Sequence, residues 1–189
     1  MAKNVLVPIA DGTEDIEVVT IVDVLRRAGV AVSLASVADE GRKSVVTAHG
    51  IAMSADCHID DCGDDWDLIA VPGGIPGAEH MRDNGRLVEL LKQQAGAGKW
   101  YAAICAAPAL VLGSHGLLDD KTATGHPAFQ QMAARKVDNQ SRVLVDGNCV
   151  TSQGPGTSLE FALTLVEVLF GSRKRGEVGE PMVAEAIYL

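Results

Sequence analysis

Strand-length apolar runs alternate with helix-patterned segments along nearly the whole chain, and this alternation constrains the fold more than any other feature. "NVLVPIA" (4–10) reads as a buried strand, "EDIEVVTIVDVLRRAG" (14–29) as a helix and "VAVSLASV" (30–37) as the next strand. "DLIAVPGG" (67–74) is a strand running into a Gly-rich turn, and "GRLVELLKQQAGAG" (85–98) is an amphipathic helix. "WYAAICAA" supplies another strand, followed by a short helix over 108–116 with Pro108 in its first turn. "KTATGHPAFQQMAARK" (121–136) reads as a short strand, a turn and a helix, and 154–171 as a capped helix. A last helix is expected in the tail to Leu189.

Two segments break the rhythm as hairpins: 44–56 around His49-Gly50 at a sheet edge, and 141–152 turning at Asp146-Gly147. Elsewhere strands follow one another through helices, which parallel pairing requires, and their continuous apolar character means both faces are covered. The expectation is a flavodoxin-like, doubly wound α/β fold with a mostly parallel sheet, residues 1–189 forming a single domain. Thr13 is the expected cap of the first helix and Gly29 its closing residue. In such sheets ligands sit beyond the C-terminal ends of the strands. That makes "ADGTE", "PGGIPG", "CAAP" and "GHP" walls of one site.

Charge and cysteine usage exclude several classes. The net charge of −9 argues against nucleic acid, which requires a basic face, and points to a small-molecule substrate. No stretch has the length of a membrane span or a signal h-region, and the four cysteines are expected as reduced thiols in the cytoplasm. Cys57, His58 and Cys62 lie close together, but their spacing fits no zinc pattern, so no metal and no cofactor is expected.

Cys105 is the first candidate for chemistry. It stands where the strand gives way to a helix, with Ala106 and Ala107 leaving room for a sharp elbow and a helix N-terminus able to favour thiolate. Position alone allows a core thiol equally well. Glu17, on a first helix apolar nearly all round, is the second candidate; desolvation there raises a carboxyl pKa and suits it to proton transfer. The alternative is a first-turn acid complementing the helix dipole. Backbone N–H groups of Gly73 and Gly74, with that of Ala106, can form an oxyanion hole, although Gly-Gly also simply makes turns. His126, in a loop on the same side, can orient substrate or shuttle a proton.

Taken in order, "ADGTEDIE", "VPGGIPGAE", "AAICAAPALVL", "GHP" and "TSQGPGTSLEFAL" resemble the ThiJ/DJ-1/PfpI superfamily, in the branch of the human parkinsonism-associated protein and bacterial YajL. The resemblance implies a flavodoxin-like homodimer with an oxidation-sensitive cysteine at an elbow beside a protonated glutamate, matched here by Cys105 and Glu17. It places the loop glycine on Gly74, the residue after the cysteine on Ala106 and the pocket histidine on His126. In the peptidase-like branch a His follows the cysteine; Ala106 stands there instead, which argues against proteolysis. The second oxidisable cysteine of the human type is replaced by Ser54, and Arg27 is a candidate for the dimer contact.

The activity this implies is cofactor-independent detoxification of α-oxoaldehydes: glyoxalase chemistry on methylglyoxal, or deglycation of early adducts on proteins or nucleotides. The alternative is an oxidative-stress sensor or redox-dependent chaperone acting through Cys105, and a third is an enzyme-derived scaffold without turnover.

Overall fold

The computed structural model describes residues 3–129 and 136–184. Seven strands form the main sheet: β1 (Asn4–Ile9), β2 (Ala31–Ser36), β5 (Cys57–His58), β6 (Leu68–Val71), β7 (Trp100–Ile104), β10 (Val143–Asp146) and β11 (Cys149–Ser152). Their order is β10-β11-β7-β6-β1-β2-β5, parallel throughout except for the antiparallel β10 edge. The flavodoxin-like expectation holds. Val5, Leu6, Val7 and Ile9 of β1 are fully buried, as are Leu68, Ile69, Ala70 and Val71 of β6. A strand covered on both faces needs this unbroken aliphatic run rather than an alternating one.

Three α-helices lie between strands of this sheet, α1 (Asp15–Arg27) after β1 and α2 (Gly77–Asp83) and α3 (Gly85–Gly96) after β6, and two more, α4 (Ser158–Phe170) and α5 (Ser172–Gly179), follow the last strand. α1 packs against α4, whereas α2 and α3 pack on each other and α3 lies against β6 and β7. Crossovers between parallel strands are right-handed as a rule, so α1, after β1, and α2 with α3, after β6, are carried to opposite faces as the winding runs in opposite directions. From β1 the chain steps outward to β2, then returns to place β6 on the other side of β1. The winding therefore switches between β1 and β6, where the loops leaving the two strands diverge and open a crevice.

Several local readings change. The 44–56 hairpin exists as β3 (Ser44–Val46) and β4 (Ala52–Ser54), but it forms its own two-stranded sheet instead of extending the edge of the main one. A second small sheet pairs β8 (Thr122–Ala123) with β9 (Lys136–Val137). The β10–β11 hairpin closes one residue later than expected: Asp146 and Cys149 are still paired, and Gly147 takes the left-handed φ of 60°. The α2 helix was hidden because its start, "GAEH", follows directly on a Gly/Pro-rich loop. The helix expected within 121–136 falls mainly on 130–135, outside the described residues, as does the end of the tail from 185. No helix among the described residues is long and apolar enough to cross a membrane.

Candidate active site

Four loops leave the C-terminal ends of β1, β6, β7 and β11; the first three lead to Glu17, Gly73, Gly74, Cys105 and Ala106, while His126 lies in the segment after β8. At the end of β1, Thr13 does not cap α1: its Oγ1 accepts from Ala10 N–H at 2.9 Å, tightening the loop. Glu14 is the cap, its Oε2 accepting from Glu17 N–H at 2.8 Å. Glu14 N–H in turn donates to Gly73 O at 3.1 Å, tying the β1 loop to the β6 loop across the switch point.

That tie delivers Glu17 to the glycines. Glu17 is fully buried, and its Oε2 accepts from Gly73 N–H at 2.7 Å. Burial pushes its pKa up to about 7; the Gly73 hydrogen bond opposes the shift, and the nearby Glu14 carboxylate adds to it. The Oε1 atom is buried with no partner in hydrogen-bond geometry among the described residues. The expected desolvated carboxyl is therefore present.

Gly73 requires a correction. Its N–H was expected in an oxyanion hole but is committed to Glu17, because the turn after β6 aims this amide at the carboxyl. Its bare α-carbon matters more: a Cβ built there would lie 2.7 Å from Cys105 Cβ and 3.0 Å from Glu17 Oε2. Glycine is thus what permits the two acids to approach. Gly74, at φ 91°, is equally confined, with a Cβ meeting Gly12 O at 2.3 Å and Glu14 N at 2.4 Å.

Cys105 follows β7 with a positive φ of 65°, one of three such non-glycine residues among those described. Left-handed backbone is costly for a side-chain-bearing residue and persists only where its surroundings enforce it. Here Cys105 N–H donates to Ser152 O at 3.0 Å, and Cys105 O accepts from His126 N–H at 2.8 Å. The elbow turns the side chain, 9% exposed, toward Glu17, Gly74 and Ala106. Beyond the elbow the chain enters a π-helical turn over Pro108–Leu112, not a regular helix.

The thiol is not the low-pKa group that a helix N-terminus alone predicts. Burial, with the Glu17 carboxylate beside it, pushes Cys105 up to about 12, against the pull of the Gly74 and Ala106 N–H groups. The repulsion depends on Glu17 being charged. A protonated Glu17 becomes a donor to thiolate, so the two groups share one proton and function as a unit.

The His126 backbone is brought to Cys105, as its amide bond shows. Its ring packs against Phe129 with centroids 6.0 Å apart, and Nδ1 accepts from Ala128 N–H at 3.2 Å, leaving Nε2 to carry the proton. Gly154 flanks the ring, its Cβ position 3.6 Å from His126 Cδ2. The backbone of His126 is tied to the elbow, while its imidazole packs against Phe129 and its Nδ1 serves its own turn.

Sequence reasoning missed a half-buried network at the start of α1. Asp15 Oδ2 accepts from His49 Nδ1 at 2.7 Å and from His49 N–H at 3.1 Å, and Thr47 Oγ1 donates to Asp15 Oδ1. Burial alone would raise the Asp15 pKa, but these bonds outweigh it and hold it below the usual value. Glu14, Asp15 and His49 offer ligand atoms within 4.8 Å of one another, a cluster that the hydrogen bonds already hold together. The run of acids opening α1 was the available signal, but acids at a helix start are also what the dipole favours.

Fold and site define a class: a doubly wound α/β protein with a cysteine elbow and a buried glutamate at the switch point. The DJ-1/PfpI family model matches residues 3–168, and the chain belongs to that family. "Protein DJ-1 homolog A" of Arabidopsis thaliana is 48% identical over 93% of this chain and 45% of its own length. The chain spans less than half of that relative. "Glutathione-independent glyoxalase DJR-1.2" of Caenorhabditis elegans is 33% identical, with 94% of each chain covered. The solved structure "Toxoplasma gondii DJ-1, oxidized" superimposes with a TM-score of 0.92 at 41% identity, covering 96% of this chain and 98% of that one.

Proposed function

We propose that this protein converts α-oxoaldehydes to 2-hydroxy acids without a cofactor, with Cys105 as nucleophile and Glu17 as proton carrier. The observation that carries the reading is the Cys105–Glu17 pair, held at an enforced elbow with the Gly74 and Ala106 N–H groups near the sulfur. A carboxyl with a pKa of about 7 can both take and return a proton at neutral pH. A relative named as a glutathione-independent glyoxalase adds support.

Glu17 removes the thiol proton, and the sulfur adds to the aldehyde carbon of methylglyoxal, giving a hemithioacetal. The new oxyanion lies beside the Gly74 and Ala106 amides. Glu17 then moves the proton from the former aldehyde carbon to the neighbouring carbon, with His126 assisting, which leaves a lactoyl thioester. Water cleaves it to lactate and the free thiol, so the sum is methylglyoxal plus water giving lactate and a proton. Consuming the free aldehyde also draws early hemiaminal and hemithioacetal adducts back, as their C–N or C–S bond reverses to release aldehyde and the unmodified group. We assign the action to the cytoplasm and to a homodimer, on the free cysteines and the exposed apolar residues around α1. Wild type, Cys105→Ala and Glu17→Gln are assayed with methylglyoxal under metal-free conditions. Lactate from wild type alone is expected; none above the Cys105→Ala background overturns the reading.

A second reading, an oxidative-stress sensor or redox-dependent chaperone, draws on the oxidised state named for the Toxoplasma relative and on the Glu17 Oε1 atom, which has no hydrogen-bond partner among the described residues. A protonated Glu17 can donate to an oxygen carried by the Cys105 sulfur. Intact mass after mild peroxide is expected to gain oxygens that Cys105→Ala lacks; oxygens that persist in that variant count against it.

A further inference from the structure

Two cysteines outside the Cys105 pocket meet at the far edge of the sheet. Cys57 opens β5, where it pairs with Ala35 of β2, and Cys62 follows a single 3-10 turn over Ile59–Asp61. Their Sγ atoms are 2.9 Å apart, and both residues are half-buried.

The turn between them is held from several sides. Ile59 is fully buried, and His58 bonds through Nε2 to Ala38 O at 2.8 Å. Cys62 N–H donates to Ile59 O at 3.2 Å, its thiol donates to His58 O at 3.3 Å, and Arg86 donates to its carbonyl at 3.4 Å. The meeting of the two sulfurs is therefore a product of backbone and anchor residues and not of two free side chains. Burial, and after it the adjacent Cys57 thiol, raises the Cys62 pKa above the ordinary thiol value.

We propose that Cys57 and Cys62 form a redox-active dithiol that peroxide closes to an intrachain disulfide, a modification site separate from Cys105. One thiol gives up its proton and its sulfur takes an oxygen from peroxide: the O–O bond breaks, a sulfenic acid forms and the first water leaves. The second thiol attacks that sulfur, the S–S bond forms, the S–O bond breaks, and the oxygen departs with the second proton as another water. The two sulfurs together lose two electrons and peroxide gains them. A thiol reductant reverses the closure. The same pair can chelate a trivalent arsenical, two thiols and an arsine oxide giving a cyclic dithioarsinite and water.

The test uses full-length Cys105→Ala, so that the result does not depend on the chemistry proposed for Cys105. After limited peroxide this variant is expected to lose the mass of two hydrogens and to protect two of its three remaining thiols from alkylation, both reversed by dithiothreitol. Adding Cys57→Ser or Cys62→Ser abolishes the change. Phenylarsine oxide, applied to the unoxidised protein, is expected to protect the same two thiols. Added oxygens on single cysteines, crosslinks between chains, or unprotected thiols in both experiments would overturn the proposal.

Discussion

Gly73 N–H donates to Glu17 Oε2 at 2.7 Å, while the bare α-carbon of the same glycine leaves the gap through which Glu17 and Cys105 meet. One residue thus orients the carboxyl and makes space for the thiol. This arrangement leaves a buried acid whose ionisation and whose neighbours can each be altered separately.

Glu17 makes stability depend on pH. Its folded pKa of about 7 lies above the unfolded value near 4.5, so between these limits the folded protein keeps a proton that the unfolded chain has shed. Stability from this group is complete below about 4.5 and is lost as pH rises through about 7. Glu17→Gln removes the titration. Urea unfolding across this range is expected to show wild type losing about 3 kcal/mol relative to the variant. Parallel pH profiles for the two proteins would contradict the buried acid.

The glycines of the β6 loop are expected to tolerate no methyl group. Gly73→Ala drives a Cβ against Cys105 Cβ and Ile104 O, at 2.7 and 3.0 Å, and is expected to cost about 1–3 kcal/mol. If the proposed reaction is the protein's activity, displacing the pair is also expected to lower kcat/KM for methylglyoxal by about a hundredfold. Gly74→Ala meets backbone atoms at a φ of 91° and is expected to be the more destabilising of the two. Thermal melts and initial rates on both variants give the comparison.

The elbow predicts an inversion of the usual ranking of alanine over glycine. At φ 65°, Cys105→Gly removes the Cβ penalty that Cys105→Ala retains, so the glycine variant is expected to be the more stable by about 1 kcal/mol. Denaturant midpoints of the two proteins decide the order.

Self-association is expected through α1 and the β3–β4 hairpin. Ile16, Val19, Val46 and Ile51 are 56%, 52%, 54% and 53% exposed. The Gly12 N–H bond to Val46 O and the Asp15–Thr47 bond hold the two elements together. Val19→Asp places a charge among these side chains, and sedimentation equilibrium is expected to show a dimer for wild type and a monomer for the variant.

The sequence by itself determined the layered α/β fold, the central strands and the candidacy of Cys105 and Glu17. Periodicity and unbroken aliphatic runs are local signals, and an isolated thiol or acid in an apolar context is visible without coordinates. Only the tertiary structure decided that Gly73 serves Glu17 and not an oxyanion, that Glu14 displaces Thr13 as the cap, and that the Cys105 thiol is raised by burial and by Glu17. Each of these depends on loops from different strands converging at the β1–β6 switch point, a distance in space that spacing along the chain does not encode. Cys57 and Cys62 show the same limit. Their spacing failed as a metal motif, yet one turn anchored by Ile59 brings the sulfurs into contact.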